Sequence, residues 1–225
     1  MRENGAMSSI TIPAAAILFD MDGTLVDSTV VVERVWGRYA DRHGLDLNAI
    51  LATSHGRLMR ETVARWAPEG VDIDAECDDL STFELAQTDG MYAVGGAAAF
   101  ANAVPRDAVA LVTSAPLNLA TIRLTAAGID MPAVVVTADD VERGKPHPDP
   151  YLRAAELLGV APKDAVVFED AEAGIESALA AGMRCVVVGS ATGPITEGLP
   201  RIADYSQITA TVVEVEGETR ILLEL

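Results

Sequence analysis

The chain alternates between short apolar runs and stretches with apolar residues at helical spacing. Five runs stand out: Ala15–Phe19, Val109–Val112, Val134–Val136, Ala165–Phe168 and Cys185–Val188. Each is nearly continuous or rich in β-branched residues, the pattern of a strand buried on both faces. Helical patterns separate most of them. Leu117–Ala127 keeps helical spacing and stops at Gly128. Asp149-Pro150 reads as an N-cap with proline at the first helical position, opening a helix to Leu158 before Gly159. Ala173–Ala181 is small and helical and stops at Gly182. The alternation predicts an α/β fold: a Rossmann-like open parallel sheet with helices on both faces.

One interval breaks the rhythm. From about Ser28 to Tyr92 the patterns are helical and no strand is convincing. Val31, Val32, Val35, Trp36 and Tyr39 form one stripe ending near His43-Gly44; Leu58, Thr62, Val63 and Trp66 form a second; Asp72–Gln87 forms a third, acidic on its outer side. This predicts an inserted helical domain over 28–94, with the sheet domain made of 1–27 and 95–225. Thr209–Val215 and Thr219–Leu223, around Glu216-Gly217-Glu218, read as a terminal β-hairpin. Residues 1–9 read as a flexible tail, and no internal repeat is visible.

Composition narrows the function classes. The 225 residues are 50% hydrophobic, enough for a substantial core, and only 4% aromatic. The formal net charge is −18, which makes nucleic acid and anionic membrane poor partners, although an anionic substrate can still bind where positive charge is concentrated. No apolar run approaches the roughly 18 residues of a membrane span. Cys77 and Cys185 lack metal-like spacing and read as reduced thiols. A cytoplasmic protein, monomeric rather than oligomeric, is expected.

In an open α/β sheet the chemistry sits at the carboxyl ends of the strands. The first run ends in Asp20-Met21-Asp22-Gly23-Thr24, the second in Thr113-Ser114 and the fourth in Glu169-Asp170, while Lys145 lies in a loop after the third. Carboxylates delivered this close together repel unless a cation offsets them. Several carboxylates, a hydroxyl pair and one ammonium make a hard-cation site that suits Mg²⁺ shared with a substrate phosphate.

DMDGT, then Thr113-Ser114, then GKP, then FED resemble the four ordered motifs of the haloacid dehalogenase superfamily. The helical insertion after the first motif resembles that superfamily's C1 cap. SHGRLMRETV, TADDVERGKPHPDPYL and VVFEDAEAGIESALAAG are similar to its sugar- and polyol-phosphate phosphatases. The resemblance implies Mg²⁺-dependent hydrolysis of a small phosphorylated sugar or polyol, a phosphoric monoester hydrolase reaction. Asp20 would be the nucleophile and Asp22 the general acid and base. Asp20, the Asp22 backbone carbonyl and Asp170 would hold the metal, with Glu169 orienting a metal-bound water. Asp20, Met21, Asp22, Thr113, Ser114 and Lys145 would surround the phosphoryl group, and Lys145 would also pair with Asp20. Gly23 would permit the tight turn, and Thr24 would hydrogen-bond the loop.

Alternatives stay open at several positions. Ser114 is also a plausible helix cap, and Lys145 a solvated lysine. His55 with Gly56 and Arg57 reads equally as a surface or capping residue near a helix start and as a substrate-facing group on the cap. Glu172 reads as a first-turn acid and His147 as loop scaffolding. Asp22 speaks against a dehalogenase, and the absence of lysine from 28–94 speaks against a phosphonate hydrolase that resembles this family. A phosphosugar mutase of the β-phosphoglucomutase type shares the motifs, with Thr24 tilting the reading to hydrolysis. A non-catalytic binding protein on the same fold would have lost the nucleophile or a metal ligand, and none is lost.

Overall fold

The computed structural model describes residues 10–215 and 217–225. The expectation of a tail over residues 1–9 lies outside the described residues. Strands β1 (Thr11–Ala14), β2 (Ala16–Phe19) and β3 (Val26–Asp27) open the chain. Helices α1 (Thr29–His43), α2 (Leu47–Ser54), α3 (Met59–Trp66) and α4 (Ile73–Leu85) follow. Strand β4 (Tyr92–Ala93), helix α5 (Ala97–Ala103), strand β5 (Val109–Val112), helix α6 (Leu117–Ala127) and strand β6 (Val134–Val136) come next. Helix α7 (Asp149–Leu158), strand β7 (Ala165–Glu169), helix α8 (Glu172–Ala180), strand β8 (Arg184–Val188), strand β9 (Arg201–Ile202) and the hairpin β10 (Thr209–Val215) and β11 (Glu218–Glu224) complete it.

Six parallel strands form the main sheet in the order β6-β5-β2-β7-β8-β9. Successive side chains on a strand point to opposite faces, so β2 feeds two cores. Ile17 and Phe19 join one with Leu111, Val166 and Phe168. Ala16 and Leu18 join the other with Tyr151 and Ala154 of α7 and Ile175 and Ala178 of α8. Phe19 stacks on Phe168 at 5.3 Å between ring centroids. The residues immediately after those two rings are Asp20 and Glu169, so this packing fixes where the two carboxylates leave the sheet.

The insertion contains four helices, one more than the pattern predicts. The missed helix, α2, is capped by Asp46, whose carboxylate accepts the backbone N–H of Asn48 and Ala49. The expectation of no strand in this region is also corrected. β3 and β4 pair antiparallel where the insertion leaves and rejoins the sheet. Val31, Val35, Tyr39, Ile50, Val63 and Leu80 of the inserted helices belong to the same apolar cluster as Phe19 and Phe168.

Two boundary expectations change. Asp149 is the first residue of α7 rather than its cap, and Pro148 occupies the cap position. Asp149 pairs with Arg143 instead, at 2.9 and 3.0 Å. The terminal hairpin forms as expected but takes a third strand, β1, in the order β1-β11-β10. Pro13 disguises β1 in the sequence; it sits on an edge strand, where a missing N–H costs no ladder bond.

Candidate active site

Asp20 leaves the end of β2 with 5% of its surface exposed, its N–H donating to the Phe168 carbonyl at 3.1 Å. The chain then folds back on itself: the N–H groups of Leu25 and Val26 both donate to the Met21 carbonyl at 2.9 Å. Gly23 has φ 84°, and a Cβ there would overlap the Asp170 carboxylate. Glycine is required both for the positive φ and for this close approach. Thr24 holds Asp170 rather than its own loop, its hydroxyl donating to Oδ1 at 3.0 Å.

Lys145 is not a solvated loop lysine; it is 1% exposed. Its ammonium donates to Asp20 Oδ1 at 2.5 Å, Glu169 Oε1 at 2.8 Å and the Val112 carbonyl at 3.0 Å. Its three donors are therefore all used. Glu169 is as fully engaged. Besides Lys145, it accepts the Tyr151 hydroxyl at 3.0 Å on Oε1, and the backbone N–H of Asp170 and Ala171 at 2.9 and 3.0 Å on Oε2. It packs against Gly174 of α8, where a Cβ would overlap its carboxylate.

The electrostatics follow from this crowding. Burial, then the Glu169 charge, raises the Asp20 carboxyl to about 7 against the pull of Lys145. Burial, then Glu169 and Asp20, raises Asp170 well above the usual carboxylate range. Burial alone would lower the Lys145 ammonium, but Asp20 and Glu169 outweigh it and raise it.

Oxygens of Asp20, Glu169 and Asp170 lie within 4.8 Å of one another. That is an all-oxygen donor set with more negative charge than Lys145 offsets, and it fits a hard divalent cation such as Mg²⁺. Glu169 already accepts from four donors, so Asp20 and Asp170 are the carboxylates with capacity for an ion. The Asp22 side chain points elsewhere, accepting the Ser28 hydroxyl on Oδ1 and Arg123 on Oδ2, both at 2.6 Å. Its backbone carbonyl is the part that the predicted metal set needs.

The second motif meets the insertion. Thr113 is buried and its hydroxyl accepts the Ala115 N–H at 3.1 Å. Ser114 caps no helix: the cap position of α6 is Pro116, and the Ser114 hydroxyl donates to the Gly56 carbonyl at 2.8 Å. Asp20, Asp22, Thr113, Ser114, His55 and Gly56 line one cavity of about 210 Å³. Met21 is different: its side chain is fully buried in the core, so any part it takes in binding phosphate rests on its backbone. His55 caps the C-terminal end of α2, three residues before Leu58 at the start of α3, and is exposed. With Arg57 it also lines a wider cavity of about 910 Å³ that reaches Gly23 and Asp170. His147 is exposed, and its carbonyl accepts the Ser177 hydroxyl at 2.5 Å, the scaffolding expected of it.

Two residues of this region went unnoticed in the sequence. Arg123 of α6 is 2% exposed and spans Asp22 at 2.6 Å and Glu84 of α4 at 2.7 Å. The signal was present: Leu119, Ala120, Leu124 and Ala127 are the buried stripe of α6, and Arg123 falls inside it. A charge on an apolar helical face requires a buried partner.

Fold, Asp20–Thr24 loop and carboxylate cluster together point to a hydrolase class. The haloacid dehalogenase-like hydrolase family matches residues 14–182, and the chain belongs to it. Within that family it is similar to hexitol phosphatase A of Escherichia coli, 43% identical over 77% of this chain and 82% of the relative. It is similar also to glycerol-1-phosphate phosphohydrolase 2 of Saccharomyces cerevisiae, 31% identical over 81% of this chain and 77% of the relative. The crystal structure of CbbY from Rhodobacter sphaeroides in complex with phosphate superposes with a TM-score of 0.70 at 25% identity, covering 86% of this chain and 96% of that one. No helix among the described residues is long and apolar enough to cross a membrane.

Proposed function

We propose that the protein is an Mg²⁺-dependent phosphatase of small phosphorylated sugars or polyols that works through a phosphorylated Asp20. The observation that supports it best is the Asp20 carboxylate, paired with Lys145 at 2.5 Å and opening with Asp22 into one cavity. The relatives named for hexitol and glycerol phosphates support the substrate class.

In this reading Lys145 holds Asp20 in place and pulls it toward the ionised form against the burial that raises it, with Oδ1 occupied and Oδ2 left to attack phosphorus. As that O–P bond forms, the ester P–O bond breaks and Asp22 gives its proton to the departing oxygen. Asp22 then takes a proton from water as the water oxygen bonds to phosphorus and the Asp20 O–P bond breaks, releasing phosphate and restoring the Asp20 carboxylate and the protonated Asp22. Ser114 donates to a phosphoryl oxygen by turning its hydroxyl from the Gly56 carbonyl, while Lys145, whose donors are all used, sets its positive charge beside Asp20 against the charge that grows on the phosphoryl group in the transition state. Mg²⁺, held by Asp20, Asp170 and the Asp22 carbonyl, supplies charge neutralisation to the phosphoryl oxygens when bound. Glu169 anchors Lys145 and the turn into Asp170 rather than meeting substrate.

The insertion over 28–94 acts as a cap that selects the substrate, above a core of 1–27 and 95–225. A reducing, cytoplasmic setting accords with the unpaired Cys77 and Cys185. The test is phosphate release from a panel of sugar and polyol phosphates with Mg²⁺ and with EDTA. Release that needs the ion is expected. Full turnover in chelator would remove the metal from the mechanism, and no release from any ester would remove the phosphatase reading.

A further inference from the structure

Arg123 reaches from the core to the cap through the acid/base group. Its guanidinium is buried among the apolar residues of α6 and has two carboxylate partners: Nη1 donates to Asp22 Oδ2 at 2.6 Å and Nη2 to Glu84 Oε1 at 2.7 Å, while Nε has no partner. Asp22 Oδ1 accepts from Ser28, the residue just before α1. Glu84 stands in the last turn of α4. Asp22 is thus tied to both ends of the insertion, directly at its start and through Arg123 at its end.

We propose that Arg123 is a positioning residue for Asp22, fixing the proton-transferring carboxyl in place when α4 is seated and Glu84 completes the pair. The proposal rests on the reading of Asp22 as acid and base. A buried guanidinium is tolerated only with its charge partners in place, and removal of one partner leaves uncompensated charge. With α4 displaced, Arg123 would lose Glu84 and with it half of its orientation.

The donor and acceptor inventory separates the two carboxylate oxygens. A guanidinium has five donors and no acceptor, whereas a hydroxyl can do either. Arg123 therefore holds Oδ2, and Oδ1, met only by the Ser28 hydroxyl, is the oxygen free to turn to the ester oxygen as the P–O bond breaks. A basic alkoxide needs a proton to depart, and a nitrophenolate does not.

The test compares kcat/KM, which covers the steps up to departure of the leaving group, for glycerol 3-phosphate, phenyl phosphate and para-nitrophenyl phosphate. The two aryl esters have no hydroxyl to be recognised, so their difference reports leaving-group basicity alone. Arg123→Met is expected to lose about 10–100-fold on glycerol 3-phosphate, the scale of a misplaced catalytic group. It should lose less on phenyl phosphate and least on the nitrophenyl ester. Glu84→Gln should show the same order more weakly, and the double variant should be no worse than Arg123→Met alone. Arg123→Lys should recover part of the loss, since a single ammonium reaches one carboxylate where the planar fork reaches two. Thermal melting checks that each variant is folded, and Glu84→Gln carries the test should Arg123→Met not fold. Equal losses on all three esters, or additive losses in the double variant, would overturn the proposal and leave Arg123 a structural ion pair. A wild-type protein inert on all three would overturn the phosphatase reading, and this proposal with it.

Discussion

Asp20 and Asp22 are two residues apart and sit in opposite environments. Asp20 is buried against Lys145 among other carboxylates, while Asp22 faces a serine and an arginine at the base of the cap. On the proposed mechanism Asp20→Asn removes the nucleophile, so turnover and covalent phosphorylation should both vanish; near-normal phosphate release would reverse the assignment. Asp22→Asn keeps the nucleophile and should cost roughly 10²–10⁴-fold in turnover, the usual range for a lost general acid and base. A second prediction concerns pH. The Asp20 carboxyl is raised to about 7, and Asp170 is raised as well. Each therefore binds a proton in the folded protein at pH values where the unfolded chain has lost it. Ion-free protein should accordingly lose stability as pH rises toward 7 and beyond. Mg²⁺ must displace those protons, so the increase in Tm on adding it should be larger at pH 8 than at pH 6. An equal increase at both would show that these carboxylates do not hold the ion.

At the scale of elements, the sequence carries the sheet clearly, because a strand buried on both faces leaves an unbroken apolar run. All five runs are strands, with boundaries shifted by a residue at most. The short elements were hidden. β3 and β4 are two residues each, too short for any periodicity, and are held by their pairing. α2 had a legible cap in Asp46, but its eight residues give little more than two turns of pattern. The Lys145–Asp20 pair came only through the family resemblance, and the contacts of Glu169 with Lys145 and Tyr151 were beyond a linear reading, since they join elements far apart in the chain. Gly174 shows where such contacts override local propensity. Replacing an interior helical glycine with alanine ordinarily stabilises by up to about 1 kcal/mol. Here the new Cβ would meet Glu169, which four donors hold in place. Gly174→Ala should instead destabilise by about 1–3 kcal/mol, as overpacking does, and should lower kcat through the shifted Lys145. A raised Tm with unchanged kcat would mean that Glu169 has room to move.

On the proposed function, recognition of phosphate and recognition of the rest of the substrate fall to different parts of the molecule. The ends of β2, β5 and β7 would provide the phosphate chemistry, and groups that meet only phosphate are blind to the alcohol that carries it. The 210 Å³ cavity is lined from both parts of the chain, and the insertion is tied to the sheet domain at Ser114 with Gly56 and at Arg123 with Glu84. On that reading, selection among sugars and polyols would come from the inserted helices. His55 is a cap side chain that is exposed and lines both the 210 Å³ cavity of the nucleophile and the wider one beyond it. A site that hydrogen-bonds a hydroxyl rejects an analogue lacking it far better than an apolar wall can. His55→Ala should lower kcat/KM for the preferred sugar or polyol phosphate by about 3–10-fold, since a typical hydrogen bond contributes about 0.5–1.5 kcal/mol. It should leave para-nitrophenyl phosphate, which has no hydroxyl, nearly unchanged. The residue makes no packing contribution to the core, so its melting temperature should stay close to wild type and a lost fold would not confuse the comparison. Equal losses on both esters, or none on either, would make His55 a surface residue at the end of α2 and move substrate selection to the other polar groups of the cap.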